Sequence, residues 1–222
     1  HSRNEQNSPS NRINGLSNCQ SNISDYTVPS NFELGSMGGF FTYDEMILHL
    51  NNMVTQYSNI VSELQTIPDI VTHDGRPIYW LKISDNPNEN EDENEILYTA
   101  LHHAREPISM SQLIFFMYYV LENYNSNPQI QYLVNNSELY FVPCLNPDGY
   151  VFNQLSAPSG GGMWRKNRRN NNDGSFGVDL NRNYNYEWGL DDNGSSPYTD
   201  GNTYRGPEAF SEPEAQAMQF FC

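Results

Sequence analysis

ILYTALHHAREP occupies Ile96–Pro107 and is the stretch that decides the fold. Ile96–Leu101 is a short apolar run rich in β-formers, with acidic residues before it and histidines after it. This pattern predicts a strand that is buried on both faces. Pro107 suits the first turn of a helix, where a missing N–H costs nothing. The apolar run Ile108–Tyr124 therefore predicts a long, mostly buried helix.

The polar residues of this stretch fall in the predicted turn between the strand and the helix. In open α/β sheets, ligands bind outside the carboxyl ends of the strands. His103 and Glu106 form the pattern H-x-x-E, and a neutral imidazole with a carboxylate suits zinc. Taken alone, such a pair is more often two solvent-exposed polar residues than a metal site, so the rest of the sequence is needed to distinguish the two.

The context is a set of four motifs that follow one another along the chain. They are HAREP at 103–107, NPDGY at 146–150, WRKNR at 164–168 and GVDLNRNY at 177–184. In sequence and in order they resemble the motifs of zinc carboxypeptidases of the carboxypeptidase A/B type. GRPIYWLKIS at 75–84 also resembles the start of the sheet in that family. The resemblance runs from about Gly38 to Cys222.

The resemblance implies an α/β fold with a mixed, largely parallel twisted sheet and helices on both faces. We expect residues 37–222 to form a zinc carboxypeptidase catalytic domain. Residues 1–36 are rich in Asn and Ser without a sustained period, which predicts a polar leader, a linker or the tail of a pro-segment.

For the metal site, the resemblance implies that one Zn²⁺ is bound, with His103 and Glu106 as two of its three protein ligands. Arg105 would belong to the substrate cleft, and Arg165 would polarise the scissile carbonyl and stabilise the oxyanion. His102 lies outside the ligand pattern, and we expect it to lie behind the ligands or to face solvent.

For the substrate, the resemblance implies that Asn181 and Arg182 grip the terminal carboxylate of a peptide. Together these roles describe a secreted exopeptidase in which zinc-bound water attacks the last peptide bond. The substrates would be peptide and protein C-termini, and the protein would act as a monomer in an extracellular or periplasmic compartment.

Three parts of the family pattern are not found in the 222 residues. The family's third zinc ligand is a histidine further along the chain, yet no histidine follows His103. The general-base Glu and the substrate-capping Tyr of the family are not matched either. We expect the chain to be the N-terminal two-thirds of a catalytic domain. The alternatives are a non-catalytic peptide-binding pseudoenzyme and a zinc amidase acting on cell-wall peptides or acyl-amino acids.

Bulk properties exclude several other functions. The net charge of −16 argues against nucleic acid or an anionic membrane as a partner. No apolar run reaches the roughly 18 residues expected of a membrane span. Cys19, Cys144 and Cys222 form neither a disulfide framework nor a zinc knuckle, and Cys144 is expected in the core.

Two charged segments invite further predictions. Asp85–Glu95 reads DNPNENEDENE; it is either a solvated connection or a Ca²⁺ site built from carboxylates, although the spacing of an EF-hand is missing. The segment Met163–Asn183 holds five of the eleven Lys and Arg residues of the chain. Besides Arg165 and Arg182 these are Lys166, Arg168 and Arg169, for which a solvated basic loop is expected.

Local patterns predict several boundaries. Thr42 with Glu45, and Ser211 with Glu214, match the capping box that begins a helix. Pro-Asp-Gly within NPDGY predicts a tight turn. His49 lies off the apolar stripe of the first helix and is expected to face solvent.

Overall fold

A computed structural model describes residues 27–222, so most of the predicted leader lies outside the described residues. Its helices and strands follow one another along the chain, with one 3₁₀ turn at Leu180–Arg182. In order they are α1 Tyr43–Gln56, β1 Gln65–Val71, β2 Pro77–Ile83, β3 Asn94–Thr99, α2 Pro107–Asn123, α3 Pro128–Val134, β4 Ser137–Val142, α4 Pro147–Ser156 and α5 Pro213–Gln219. The strand and the helix predicted on either side of the HAREP motif are therefore confirmed as β3 and α2.

The four strands form one mixed sheet in the order β1-β2-β4-β3. β1 pairs antiparallel with β2, β2 antiparallel with β4, and β3 parallel with β4 in the register Ile96↔Leu139. The α/β class and the mixed sheet are confirmed. A largely parallel sheet is not what residues 27–222 form, because two of their three strand pairings are antiparallel.

The sheet separates two apolar clusters. Leu81, Ile83, Leu139 and Phe141 point to the face covered by α1 and α2. The alternate positions, with Ile78 among them, point to the opposite face and pack with α5. This alternation follows from the period of two in a strand, and it confirms helices on both faces.

β3 is less buried than predicted. Its last four residues are half-buried and its first two are exposed, because β3 is the edge strand of the sheet in the described part of the chain. A continuous apolar run predicted burial on both faces, but only β4 pairs with it here.

The helix starts test the local predictions. Thr42 and Glu45 form the predicted capping box at α1. The second capping box is wrong, because Glu212 is the N-cap of α5 and Glu214 is fully buried. Pro-Asp-Gly is not a tight turn but the first turn of α4, with Asn146 as its N-cap accepting from the Gly149 N–H.

Two other predictions concern single side chains. His49 is half-buried rather than solvent-facing, and its ring packs against Phe41 and hydrogen-bonds to the Tyr118 hydroxyl at 2.9 Å. Cys144 is a core residue as predicted, with 3% of its surface exposed.

The parallel pairing of β3 and β4 positions the HAREP turn. Because the two carboxyl ends lie side by side, the Asn146 side chain reaches the His102 carbonyl oxygen at 3.1 Å. Leu101 immediately before this turn has φ of 54°, a left-handed conformation that is uncommon for a bulky residue. Ser109 supports the turn, since its Oγ accepts from the Leu101 N–H and donates to the Glu106 carbonyl oxygen.

Candidate metal centre

His103 and Glu106 meet at the start of α2. Nδ1 of His103 lies 3.0 Å from Glu106 Oε1 and 3.1 Å from Glu106 Oε2. Two ligands of one tetrahedral zinc, with bonds of ~2.05 Å, stand about 3.3 Å apart. The spacing of these two side chains therefore fits a shared ion, and the imidazole is largely buried with 8% of the residue exposed.

The hydrogen bonds of His103 indicate which ring nitrogen is free for a metal. Arg165 Nη1 lies 3.2 Å from Nδ1, and a guanidinium can only donate. Nε2 of His103 lies 3.1 Å from Asp179 Oδ1, a carboxylate oxygen that only accepts, so Nε2 carries a proton. Nδ1 faces both the Glu106 carboxylate and Arg165 Nη1, and in its deprotonated form it is the ring nitrogen that a cation shared with Glu106 would bind.

Asp179 is the residue of this site that the sequence analysis missed. Its fully buried carboxylate accepts from His103 Nε2, from Arg165 Nη2 at 2.7 Å, and from the Asn181 backbone N–H at 3.0 Å. Burial raises the pKa of Asp179, but the hydrogen bonds from His103 and Arg165 outweigh it and hold the pKa below its usual value. The available signal was its place inside the GVDLNRNY motif, as one of two acidic residues, with Asp173, in the basic segment 163–183.

Arg165 is fixed from two sides. Nε and Nη2 both donate to Asp179 Oδ2, and the Arg165 carbonyl oxygen accepts from the Ala104 N–H at 3.0 Å. The remaining terminal nitrogen, Nη1, lies 3.9 Å from Glu106 Oε1. The cationic end of Arg165 is thus held beside the His103–Glu106 pair.

Asn181 and Arg182 follow Asp179 in the 3₁₀ turn, of which Asp179 is the N-cap. Together with the segment 186–191 they line a cavity of about 370 Å³. Arg182 Nε donates to the Gly194 carbonyl oxygen at 2.6 Å and Nη1 to the Asn181 carbonyl oxygen at 2.9 Å. His103 and Glu106 do not line this cavity, so Asp179 is the physical link between the two groups.

Arg105 lies at a different pocket, of about 340 Å³, beside Glu106. Its walls are mainly apolar and include Met37, Phe40 and Ile108. Within residues 27–222 the Arg105 guanidinium has no ion pair. Arg105 therefore lines a pocket together with Glu106, and it does not line the cavity of Asn181 and Arg182.

His102 has a hydrogen-bond partner of its own, outside the predicted ligand pair. Its Nε2 hydrogen-bonds to the Tyr184 hydroxyl at 2.8 Å. Burial, followed by the charge of neighbouring His103, lowers the pKa of His102 to about 4. His102 is therefore a neutral packing residue of the turn, and Tyr184 is its partner at the end of the GVDLNRNY motif.

The remaining basic residues do not form the solvated loop that was predicted. Lys166 is 4% exposed and donates to the Thr199 carbonyl oxygen. Arg168 packs over the rings of Phe152 and Trp164, at 3.9 and 4.6 Å from their centroids. Arg169 pairs with buried Glu212 at 2.8 Å. The aliphatic part of an arginine or lysine side chain covers apolar surface well. The number of basic residues in a segment does not show whether their side chains pack in this way.

A third ligand does not join His103 and Glu106 within the described part of the chain. The groups of three His, Cys, Asp or Glu side chains that do converge among residues 27–222 are His73 with Glu212 and Glu214, and Asp85 with Glu91 and Glu93.

Between residues 27 and 222, no helix is both long and apolar enough to cross a lipid bilayer.

The fold is an α/β fold with an imidazole–carboxylate pair, His103 and Glu106, at the carboxyl end of a strand. The family model described as zinc carboxypeptidase matches residues 46–222. The chain therefore belongs to the zinc carboxypeptidase family.

Relatives of known name agree with this. A zinc carboxypeptidase of Saccharothrix mutabilis subsp. capreolus is 35% identical over 151 residues, which is 68% of this chain and 33% of the relative. Carboxypeptidase O of Bos taurus is 36% identical over 152 residues, or 68% of this chain and 38% of the relative. Mast cell carboxypeptidase A of Mus musculus is 32% identical over 183 residues, or 81% and 40%.

Solved structures have the same fold. Carboxypeptidase A of Helicoverpa armigera superposes with a TM-score of 0.71 at 26% identity, covering 84% of this chain and 43% of that one. Bovine thrombin-activatable fibrinolysis inhibitor, in complex with tick carboxypeptidase inhibitor, superposes with a TM-score of 0.68 at 28% identity. The superposition covers 84% of this chain and 57% of that one. The chain spans about a third to two fifths of the length of these curated relatives.

Proposed function

We propose that the protein containing this chain is a zinc-dependent exopeptidase that hydrolyses the C-terminal peptide bond of peptides and proteins. The observation that carries the proposal is the position of the Asp179 carboxylate. It binds His103, Arg165 and the backbone of Asn181 at once. One buried anion therefore orients a metal ligand, a cation beside it and the segment proposed to read the substrate.

The proposed zinc ligands in this chain are Nδ1 of His103 and a carboxylate oxygen of Glu106. Bound zinc supplies a Lewis acid and lowers the pKa of a coordinated water. Asp179 keeps the His103 proton on Nε2, which leaves Nδ1 as the donor atom. Two protein ligands are one fewer than catalytic zinc sites have, so the complete site needs a third.

Arg165 is proposed to stabilise the negative charge that develops on the scissile carbonyl oxygen. Its geometry supports this role, because Asp179 takes Nε and Nη2 while Nη1 lies 3.2 Å from His103 Nδ1. A donor that is already oriented costs no reorganisation during the reaction.

Asn181 and Arg182 are proposed to bind the terminal carboxylate, with Arg105 contacting the peptide on the other side of Glu106. Arg182 is suited to carboxylates because its guanidinium can donate two parallel hydrogen bonds. Neither Arg182 Nη2 nor the Asn181 side-chain amide has a hydrogen-bond partner among residues 27–222. Binding the carboxylate would restrict cleavage to the chain end and orient the scissile bond.

The direct test uses the complete protein, meaning the polypeptide purified from its source. Its intact mass is first compared with the 25.5 kDa of these 222 residues. It is then assayed on two peptides that differ only in a free or amidated C-terminus, with and without a zinc chelator. We expect release of the last amino acid only from the peptide with a free C-terminus. The chelator should abolish this activity, and added zinc should restore it.

Equal cleavage of both peptides would refute the exopeptidase proposal. Carboxylate-dependent binding without hydrolysis or chelator sensitivity would favour the non-catalytic peptide-binding module. Cleavage of acyl-amino acids or cell-wall peptides in preference to ordinary peptides would favour the zinc amidase.

The proposal also includes secretion, a monomeric state and a domain boundary near residue 36. They are checked by assaying the culture medium, by light scattering and by limited proteolysis.

The acidic loop Asp85–Glu95 is proposed to bind Ca²⁺. Carboxylate oxygens of Asp85, Glu91 and Glu93 lie within 4.8 Å of one another. One oxygen of Glu91 and one of Glu93 are buried without a hydrogen-bond partner, and desolvation and then the charge of Glu91 raise the pKa of Glu93. Calorimetric titration should detect Ca²⁺ binding that Glu93→Gln weakens and Glu95→Gln, an exposed neighbour, does not. An unchanged isotherm for Glu93→Gln would mean that the loop is a solvated connection without a Ca²⁺ site.

A further inference from the structure

A second group of potential metal ligands lies where the turn between β1 and β2 meets the start of α5. His73 belongs to the turn, and Glu212 and Glu214 to the start of the helix. One ligand atom from each of the three lies within 4.8 Å of the other two. His73 Nε2 lies 2.8 Å from Glu212 Oε2. Within the described residues, none of the three hydrogen-bonds to His103, Glu106 or Arg165.

Glu212 is a fully satisfied member of this group. Its Oε1 accepts from Arg169 Nη1 and Ser211 Oγ. Its Oε2 accepts from His73 Nε2 and Asn167 Nδ2. These four contacts hold the Glu212 carboxylate in one orientation, so the position of the group is fixed by the fold.

Glu214 is the unsatisfied member. The residue is fully buried, and its Oε2 accepts from Asn167 Nδ2 at 3.0 Å. Its Oε1 is buried and has no hydrogen-bond partner. A buried carboxylate oxygen without a partner costs free energy, and a nearby cation removes that cost. Burial also raises the pKa of Glu214 to about 7, and the hydrogen bond to Glu212 raises the pKa of His73, so a metal ion that binds near neutral pH displaces protons from these groups.

We propose that His73, Glu212 and Glu214 form a second site for a divalent metal ion of the zinc class. One imidazole and two carboxylates are donors that zinc accepts. The 2.8 Å between His73 Nε2 and Glu212 Oε2 is near the ligand separation of about 3.3 Å in a tetrahedral zinc site. The His73 side chain is 28% exposed, so an ion and a water ligand can enter from solvent.

This second site is structural rather than catalytic. Asn167 and Arg169 occupy the other lone pairs of the carboxylates, so little room is left for a substrate. The ion would join the β1–β2 turn to α5, which packs on β1. A metal that binds only the folded state raises stability in proportion to the logarithm of its concentration.

The test separates this site from the proposed catalytic one. The variant His103→Asn/Glu106→Gln removes the first pair of ligands and serves as the background. In it, Zn²⁺ is titrated by calorimetry and Co²⁺ by visible absorption, with thermal unfolding followed at each metal concentration. We expect one ion per chain and a rise in melting temperature with metal concentration. His73→Gln and Glu214→Gln should each weaken binding at least tenfold.

Two matched variants serve as controls. His49→Gln removes a half-buried histidine outside the group, and Glu208→Gln removes an exposed glutamate near α5; both should bind as the background does. Binding in the background that neither His73→Gln nor Glu214→Gln weakens would overturn the proposal, as would no binding at all. If Glu214→Gln fails to fold, His73→Gln decides alone, because His73 lies on an exposed turn.

Discussion

His103 Nε2 donates to Asp179 Oδ1 at 3.1 Å, across 76 residues of sequence. The same carboxylate holds Arg165 at 2.7 Å. A metal-binding histidine generally donates its second N–H to such a partner, which fixes the tautomer and raises the basicity of the ligand. The contact between His103 and Asp179 therefore links the H-x-x-E motif to the GVDLNRNY motif.

Asp179→Asn should weaken zinc binding by the complete protein about 10- to 100-fold, the usual effect of losing such a partner. Competition with a chromophoric chelator measures the affinity. Asp173→Asn is the matched control, since Asp173 is an exposed aspartate of the same segment that contacts Ser175 and Thr199 instead. Equal affinities for the two variants would mean that Asp179 does not orient the ligand.

Arg165→Ala should lower kcat of the complete protein about 10²- to 10³-fold, the typical cost of removing one oxyanion donor. KM should change far less, because the contact strengthens only as charge develops. Arg168→Ala is the control, since that guanidinium packs on aromatic rings and not on the site. A variant with unchanged kcat would remove Arg165 from the mechanism.

Arg182→Ala should mainly raise KM and reduce the preference for a free over an amidated C-terminus. Arg182→Lys should recover only part of that preference, because an ammonium group cannot bind a carboxylate through two parallel hydrogen bonds. For each variant, kcat/KM is measured for the free and the amidated peptide, and the ratio of the two values gives the preference. A preference that survives Arg182→Ala in full would assign carboxylate recognition to other residues.

Lys82→Met should destabilise the fold by about 3–5 kcal/mol, because it leaves Glu138 buried and unpaired. Lys82 Nζ lies 2.6 Å from Glu138 Oε1, and the two side chains are 6% and 0% exposed. Urea unfolding measures the loss. The double variant Lys82→Met/Glu138→Leu should recover most of it, whereas an additive further loss would contradict this account.

The same ion pair predicts an acid-dependent loss of stability. Burial raises the pKa of Glu138, but the hydrogen bond from Lys82 outweighs it and lowers the pKa below its ordinary value. The stabilisation is therefore present above the unfolded-state pKa of about 4.3 and is lost as pH falls through the lower folded-state pKa. Urea midpoints at pH 7 and pH 3 should differ less in the double variant than in the unmutated protein.

Thr42→Ala should cost about 1 kcal/mol, the usual value of an N-cap side chain. The Thr42 Oγ1 accepts from the Glu45 N–H, and the Glu45 carboxylate accepts from the Thr42 N–H. Thr42→Ser keeps the acceptor and should be nearly neutral. Urea denaturation compares the two, and equal losses would attribute the effect to packing rather than to the cap.

Local chemistry accounts for the predictions that were confirmed. The capping box at Thr42, the helix after Pro107 and the strand before the HAREP motif depend on residues within a few positions of each other. Predictions failed where distant residues compete for the same segment. Ser211 does not cap α5, because its hydroxyl donates to the Glu212 carboxylate and accepts from the Asn183 side chain.

The sequence by itself determined the family, the α/β class and the identities of His103, Glu106, Arg165, Asn181 and Arg182 as candidate site residues, because these are carried by short motifs. Only the tertiary structure decided their arrangement. It brought Asp179 into contact with both the His103 ring and the Asn181 backbone, and it left the Glu214 carboxylate buried beside His73. Both relationships join residues far apart in the chain, and such contacts depend on how the strands and loops pack rather than on local sequence.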